Sequence, residues 1–417
     1  MEIQQILSEE IEKVKPSEEE NAKLKAEISE IVEFLNKKLK GKAIVMLGGS
    51  FAKGTVIKKG KYDADIFVKF HKNPDSDLLE RTLKKFKVKI ERLHGSRDYF
   101  RLRAGKVFIE IVPILNLNSK DTEKAVNVTD VSPFHVSYIK KKIEKNKKLA
   151  DEIRLAKAFC YALGCYGAES HIRGFSGYCL EVLVSYYKSF LNLLRASSKW
   201  PDKVVLDPEK YYKKGEVMRE LNESKLISPL IIVDPVQKNR NISAALSEEK
   251  FNLFRESCKK FLSKPSKEFF EMKDVERDVM NEAKKSKMEL LIIQAESLKD
   301  KEDIAGAKLL KFQNVLRDKL EKEGYTTKTS IKFSGSSAKL YFLLGKKDLI
   351  IEGPFLNMPS HVMSFRKKWK KAFIKGKRII ALKKKTDIQW KNCLKIDKKV
   401  LADMDIKNFR VLNQSKI

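Results

Sequence analysis

The chain has 417 residues, room for about three domains, and its 87 Lys and Arg outnumber 56 Asp and Glu to give a formal net charge of +31. A surplus this large points first to a polyanion such as nucleic acid, with an anionic membrane surface or a plain Lys-rich composition as the competing readings. No apolar run approaches the ~20 residues of a membrane span, and the start, MEIQQILSEEIEKVK, lacks the order of a signal peptide. Five scattered cysteines (Cys160, Cys165, Cys179, Cys258, Cys393) without a CxxC pair argue against a disulfide framework or a zinc site. A cytoplasmic protein with reduced core thiols is expected.

Residues 17–40 read as an amphipathic helix. Ser17 and Glu20 form a capping box after Pro16, while Leu24, Ile28, Ile31, Leu35 and Leu39 share one stripe that Gly41 closes. An apolar run at Ala43–Leu47, a turn at Gly48 and Gly49, and an alternating strand-like segment at Asp63–Phe70 follow. A second helix fits Asp77–Arg92, and Tyr99–Arg103 with Val107–Leu115 reads as a hairpin across Ala104–Lys106. From Ser132 to about Ser197 strand signals vanish, and helices are predicted at 132–143, 149–164 and 176–196. After LIIVDPV at 230–236, mixed elements return: strand-like ELLIIQA, helix-like GAKLLKFQNVLRDKLEKEG, then strand-like TSIKFSG, KLYFLLG and DLIIEGPF. Between Arg366 and Lys385 eleven of twenty residues are basic and none is acidic. The class expected is α+β: a mixed head over 1–131, a helical central domain over 132–261, a mixed α/β tail over 262–370 and a basic C-terminal segment over 371–417.

The sharpest local feature is Gly49-Ser50, twelve intervening residues, then Asp63-Ala64-Asp65, with Glu110 between Ile109 and Ile111 on a later strand. Two apart on one strand, Asp63 and Asp65 leave the same face, and Glu110 joins them if its strand pairs alongside. Three such carboxylates suit hard divalent ions such as Mg²⁺, which bridge triphosphate oxygens. A Gly-Ser turn opening a helix presents backbone N–H groups and a hydroxyl to phosphates. An isolated Asp-x-Asp pair more often marks the solvated face of an edge strand; here the Gly-Ser before it and the strand acid after it favour the metal reading.

This arrangement resembles the signature of the nucleotidyltransferase superfamily of DNA polymerase β, poly(A) polymerases and CCA-adding enzymes. Four further blocks are similar, in order, to those of the archaeal, class I CCA-adding tRNA nucleotidyltransferases: SPFHVSYIKKKI (Ser132–Ile143), EIRLAKAFCYALGCYGAE (Glu152–Glu169), RGFSGYCLEVLV (Arg173–Val184) and VDPVQKNRNISAALS (Val233–Ser247). The segment IEGPFLNMPSHVMSFRKKW (Ile351–Trp369) is similar to the Gly-Pro region of their tail. The resemblance implies a polymerase β-like head, a helical centre and a tail that measures tRNA. It also implies template-independent addition of C, C and A to the tRNA 3′ end from CTP and ATP, with pyrophosphate released.

By the same resemblance Asp63, Asp65 and Glu110 would hold two Mg²⁺, Glu110 being placed to help deprotonate the 3′-hydroxyl. Gly49, Ser50 and Lys53, with Lys157 and Tyr166, correspond to triphosphate contacts. Ser132, His135 and Arg240 correspond to positions near the sugar, base and primer end. Arg240, a donor-only fork, would read the acceptors that C and A share. Three positions differ from the family pattern: the lengths of the first and third acids are exchanged in Asp63 and Glu110, Lys53 stands where Arg is common, and RDYF with Arg97 stands where members carry His. Without the motifs, His135 reads as a core or capping histidine, Lys157 as a snorkelling side chain, Tyr166 as packing at a helix end, and Tyr186, Tyr187 and Phe190 as core. The implied partners are tRNA, CTP and ATP, with no membrane and with a homodimer left open. Another terminal RNA transferase, making partial CCA or oligoadenylate, and a catalytically idle tRNA-binding protein are the alternatives.

Overall fold

In a computed structural model the chain is described over residues 3–415, apart from 59, 96, 119–120, 273, 287, 347–348 and 384–389. It divides into two compact units, residues 1–272 and 273–417. Among the described residues no helix is long and apolar enough to cross a membrane.

The first unit opens with α1 (Ile3–Val14), whose Ile6 and Leu7 enter the core of the helical region, so the head begins one helix later than expected. In α2 (Glu18–Lys38) the Ser17 hydroxyl accepts from the Glu20 N–H at 3.1 Å, and Leu24, Ile28, Ile31 and Leu35 bury against a five-stranded sheet. That sheet is built from β1 (Ala43–Leu47), β2 (Tyr62–Phe70), β3 (Ile90–Leu93), β4 (Tyr99–Ala104) and β5 (Val107–Leu115), with α3 (Gly49–Lys53) and α4 (Ser76–Leu83) between strands. Its order is β1-β2-β5-β4-β3, and β2 with β5 is the parallel pair. The single helix expected over 77–92 is cut short. A 3-10 turn at Lys84–Phe86 leads to Lys87 at φ +58°, and Ile90–Leu93 pairs with β4 instead. Along β2, Tyr62, Ala64, Ile66 and Val68 face the α2 core, while Asp63, Asp65 and Phe67 take the other face. Phe67 seals that face against Ile114 and Val136.

The helical region holds α5 (Val128–Lys145), α6 (Leu149–Ala162), α7 (Gly177–Tyr187) and α8 (Phe190–Ser197). The expected helix over 176–196 is two helices, because Lys188 turns left-handed at φ +72° and the Ser189 hydroxyl caps a new helix at Asn192 N–H. Strands β6 (Val204–Leu206) and β7 (Leu230–Ile232) pair in parallel around the short helices α9 (Val217–Glu220) and α10 (Glu223–Leu226), and α11 (Glu248–Ser263) closes the domain. Phe159 lies at the centre, packed on Phe190, Phe254, Phe261 and Phe270. Because Phe269 and Phe270 join this core from a turn at Lys267–Phe270, the helical region runs past residue 261. Cys160, Cys165, Cys179 and Cys258 are free, buried thiols of the same core, and Cys393 is a free buried thiol of the second unit.

The second unit contains α12 (Val275–Ser286), β8 (Glu289–Ser297), α13 (Glu302–Glu323), β9 (Tyr325–Ser334), β10 (Ser337–Lys346), β11 (Leu349–Phe355), α14 (Pro359–Lys368), β12 (Phe373–Lys375), β13 (Arg378–Lys383), α15 (Lys398–Asp403) and β14 (Ile406–Ser415). A four-stranded antiparallel sheet runs β14-β8-β10-β9, and a three-stranded one β11-β13-β12. Leu309, Phe312 and Leu316 of α13 cover one face of the larger sheet, and Val279 and Ala283 of α12 cover the other. Cover on both faces explains the uninterrupted apolar run Leu290–Ile293. Residues 371–417 are therefore not a separate basic segment: β12 and β13 complete one sheet and β14 pairs with β8 in the other. Of the basic run, Lys384 and Lys385 lie outside the described residues.

Candidate active site

A cleft of about 320 Å³ lies where the sheet of the head meets α6 and α7. Gly49, Ser50, Lys53, Asp63, Asp65, Lys157 and Tyr166 all line it, so seven of the eleven residues singled out in the sequence share one cavity. The approach of α3 to β2 is set by Gly49. Its φ is +57°, and a Cβ there would stand 1.9 Å from Asp65 Oδ2, so only glycine lets the turn close over the aspartate. The Gly48 N–H donates to the Asp65 carbonyl at 2.6 Å and fixes the same approach.

Asp63 is exposed and Asp65 half-buried on the cleft face of β2. The Asp65 carboxyl is pushed up to about 6, first by burial, then by the charge of Glu110 and of Asp63, with Lys53 opposing. Crowded carboxylates of this kind are what a divalent cation neutralises, so the donor set fits a hard metal ion. Glu110 stands beside Asp65 in the β2–β5 register, as the spacing required. Its carboxylate, however, accepts from Arg101 Nη2 at 2.6 Å and Nε at 3.2 Å across the β4–β5 pair. Among the described residues no group of three or more His, Cys, Asp or Glu side chains is placed to hold a metal ion together.

The basic wall of the cleft joins head to helical region. Lys53 Nζ donates to Glu181 Oε2 at 2.6 Å, and Lys157 Nζ donates to Glu181 Oε1 and to Thr55 Oγ1, each at 3.0 Å. Lys157 is 3% exposed and does not snorkel. The 54–56 loop that carries Thr55 is pinned by Arg154, which donates to the Val56 carbonyl at 2.8 Å and the Gly54 carbonyl at 2.6 Å. Tyr166 stacks on Tyr161 with ring centroids 4.0 Å apart. Gly174 allows the bridge that holds it, since a Cβ there would stand 2.1 Å from the Cys165 carbonyl oxygen.

His135 and Arg240 do not line this cavity; both meet at Asp234, which is fully buried. Asp234 Oδ2 lies 2.9 Å from His135 Nε2 and accepts from Arg240 Nη1 at 2.9 Å, and Oδ1 accepts from Tyr178 at 3.2 Å. Burial raises the Asp234 carboxyl, but the hydrogen bond from His135 and the charges of His135 and Arg240 hold it below the usual carboxylate range. The Tyr178 ring packs tilted against His135 with centroids 4.2 Å apart and also lines the cleft, so it connects the two clusters. Ser132 is half-buried one turn before His135 on α5. Arg97 is committed elsewhere: its guanidinium binds the buried Asp130 and the Pro113 carbonyl, tying the sheet to the start of α5. Sequence reasoning did not single out Thr55, Arg101, Tyr178, Glu181 or Asp234. The one available sign was that Glu181 is the single acid of the apolar helix GYCLEVLVSYY.

Residues 1–149 match the family model of the Second Messenger Oligonucleotide or Dinucleotide Synthetase domain, and residues 151–271 that of the tRNA nucleotidyltransferase second domain. Among solved structures, a cytoplasmic RNA terminal U-transferase superposes with a TM-score of 0.51 at 16% identity, covering 66% of this chain and 99% of that one. Cid1, with RNA terminal uridylyl transferase activity, superposes with a TM-score of 0.52 at 14% identity, covering 65% and 98%. Fold and site together define a nucleotidyltransferase with a polymerase β-like head. The CCA-adding enzyme of Methanocaldococcus jannaschii is 32% identical over 401 residues, 91% of this chain and 87% of its own. That of Nanoarchaeum equitans is 39% identical over 286 residues, 67% and 68% of the two chains. That of Saccharolobus shibatae is 33% identical over 329 residues, 77% and 73%. The chain belongs to the family of archaeal CCA-adding enzymes.

Proposed function

We infer that this protein adds C, C and A in turn to the 3′ end of tRNA, taking CTP and ATP and releasing pyrophosphate. The observation that carries the reading is the cleft that Asp63, Asp65, Lys53 and Lys157 line together, in a chain related to CCA-adding enzymes over 91% of its length.

Lys53 and Lys157 supply positive charge for a triphosphate, and the Ser50 hydroxyl and the N–H groups of the Gly49 turn supply donors. Asp63, Asp65 and Glu110 are the residues that would hold divalent ions, for which hard Mg²⁺ suits an all-carboxylate set. Divalent ions held by these carboxylates would supply charge neutralisation for the triphosphate and for the attacking and leaving oxygens. In-line attack of the 3′-oxygen on the α-phosphorus forms the new ester and breaks the bond to pyrophosphate, while the hydroxyl proton passes to a carboxylate, for which Glu110 is our candidate. Tyr166 and the stacked Tyr161 shape the triphosphate end. Asp234 fixes His135 and leaves Arg240 with its second amino group free of that bond to read the base edge; Ser132 stands near the sugar. Catalysis of this kind is mostly positioning and charge neutralisation. The basic residues of the second unit, with the run from Arg366, would hold the tRNA phosphates, and a cytoplasmic location is the reading that suits work on tRNA.

Replacing Asp65 by Ala should abolish incorporation of radiolabelled CTP into tRNA that lacks its CCA end. Near-normal incorporation by that variant contradicts the reading.

A further inference from the structure

The lysines of the cleft are not held by solvent. Glu181, 1% exposed on α7, receives three donors at once: Lys53 Nζ on Oε2 at 2.6 Å, and Lys157 Nζ and the Thr55 hydroxyl on Oε1, each at 3.0 Å. The remaining donors of Lys157 go to Thr55 as well, to its Oγ1 at 3.0 Å and its carbonyl at 3.2 Å, so all three ammonium protons have an acceptor. Lys53 and Thr55 come from the head, Lys157 and Glu181 from the helical region, and all four groups line the cleft.

Two buried ammonium groups around one point repel each other, and neither is stable there without an anion. A nucleotide triphosphate supplies that anion when bound. Within the protein itself, the Glu181 carboxylate is the anion that both lysines share. The charge distribution agrees: burial acts to raise the Glu181 carboxyl, yet Lys157 and Lys53 together draw it down to about 2. Burial also lowers Lys157, with Lys53 and Arg154 adding to the effect and Glu181 opposing it.

We propose that Glu181 is a positioning residue for triphosphate binding, an internal anion that keeps Lys53 and Lys157 charged and side by side at the floor of the cleft. The inference rests on the triphosphate reading of that cleft and adds the group that makes it ready to bind. Shape does not suffice for this role. A glutamine of the same outline offers one acceptor oxygen and turns an NH₂ donor toward the second lysine, so one ammonium loses its acceptor and swings away or gives up its proton.

The test is calorimetric binding of inorganic tripolyphosphate to the full-length protein, with steady-state addition of CTP to tRNA lacking CCA alongside. Wild-type protein should bind tripolyphosphate; absence of binding overturns the triphosphate reading itself. Glu181→Gln should weaken that binding at least tenfold and raise the KM for CTP by a similar factor, with kcat at saturating CTP changed less. Glu181→Asp keeps the charge and withdraws it by one methylene, so its affinity should fall between the other two. Wild-type binding together with a Gln variant that binds as tightly or more tightly overturns the role of Glu181 and leaves the cleft assignment standing. If the Gln variant does not fold, the Asp variant decides: severalfold weaker binding supports the proposal, and wild-type affinity overturns it.

Discussion

Asp65→Asn should separate stability from activity. In the folded protein the Asp65 carboxyl is raised from 3.8 to about 6 by burial and by the charges of Glu110 and Asp63. A carboxyl whose folded value exceeds its unfolded one favours the fold at low pH, and that contribution is lost as pH rises from about 4 to about 6. Two units of difference correspond to about 3 kcal/mol. Solvent reaching Asp65 through the cleft mouth reduces this to about 1–2 kcal/mol. At pH 7.5 the wild-type chain without divalent metal bears that cost and the Asn variant does not. Thermal melting of chelator-treated protein, followed in the transition of the first unit, should show the variant roughly 2–6 °C higher, with the gap closing toward pH 4. Added Mg²⁺ should raise the wild-type transition and leave the variant nearly unmoved, because a ligand stabilises only the state that binds it. The variant should be inactive throughout. A chelated Asn variant that melts at or below wild type at pH 7.5 refutes the picture of carboxylates crowded for a cation.

Gly49→Ala places a Cβ 1.9 Å from Asp65 Oδ2 at a left-handed φ, and should lower CTP addition by about a hundredfold or more while circular dichroism stays native; an active variant would show that the turn can shift. Arg101→Leu removes the cation that engages Glu110 at 2.6 Å, and should lower the Mg²⁺ concentration for half-maximal activity severalfold; an unchanged or higher requirement contradicts competition between Arg101 and metal. Arg240→Ala should relax the choice of C and A over U and G in single-nucleotide additions, with unchanged selectivity counting against its reading of the base.

Much of the head was legible because its signals are local. The Ser17 cap, the α2 stripe and the alternation along β2 and β5 need no distant partner to be recognised. The errors lie where distant contacts decide. Leu78, Leu79, Leu83, Phe86 and Ile90 keep a helix-like spacing, but pairing of Ile90 with Leu102 converts the end of that segment to a strand. Lys188 breaks a helix with a left-handed turn that no glycine announces, and α1 belongs to the helical core because Ile6 and Leu7 find their neighbours there. The same distinction runs through the site. The interval from Gly49 to Asp65 is visible in the sequence, and family blocks pointed to Lys157 and Tyr166. Glu181 stood out only as the lone acid of an apolar helix, and its role was hidden because its partners Lys53 and Thr55 lie 128 and 126 residues away. Asp234 was likewise hidden as the common anchor of His135 and Arg240, 99 residues from the former.

The most direct measurement is terminal addition to tRNA lacking its CCA end, with product sequencing and pyrophosphate release followed together. With CTP and ATP the account predicts three added nucleotides ending in C, C and A and one pyrophosphate for each. CTP without ATP should stop after two C residues, and a tRNA already ending in CC should receive one A. Addition of A alone, an unlimited A or U tail, or tight tRNA binding with no pyrophosphate above background would contradict it.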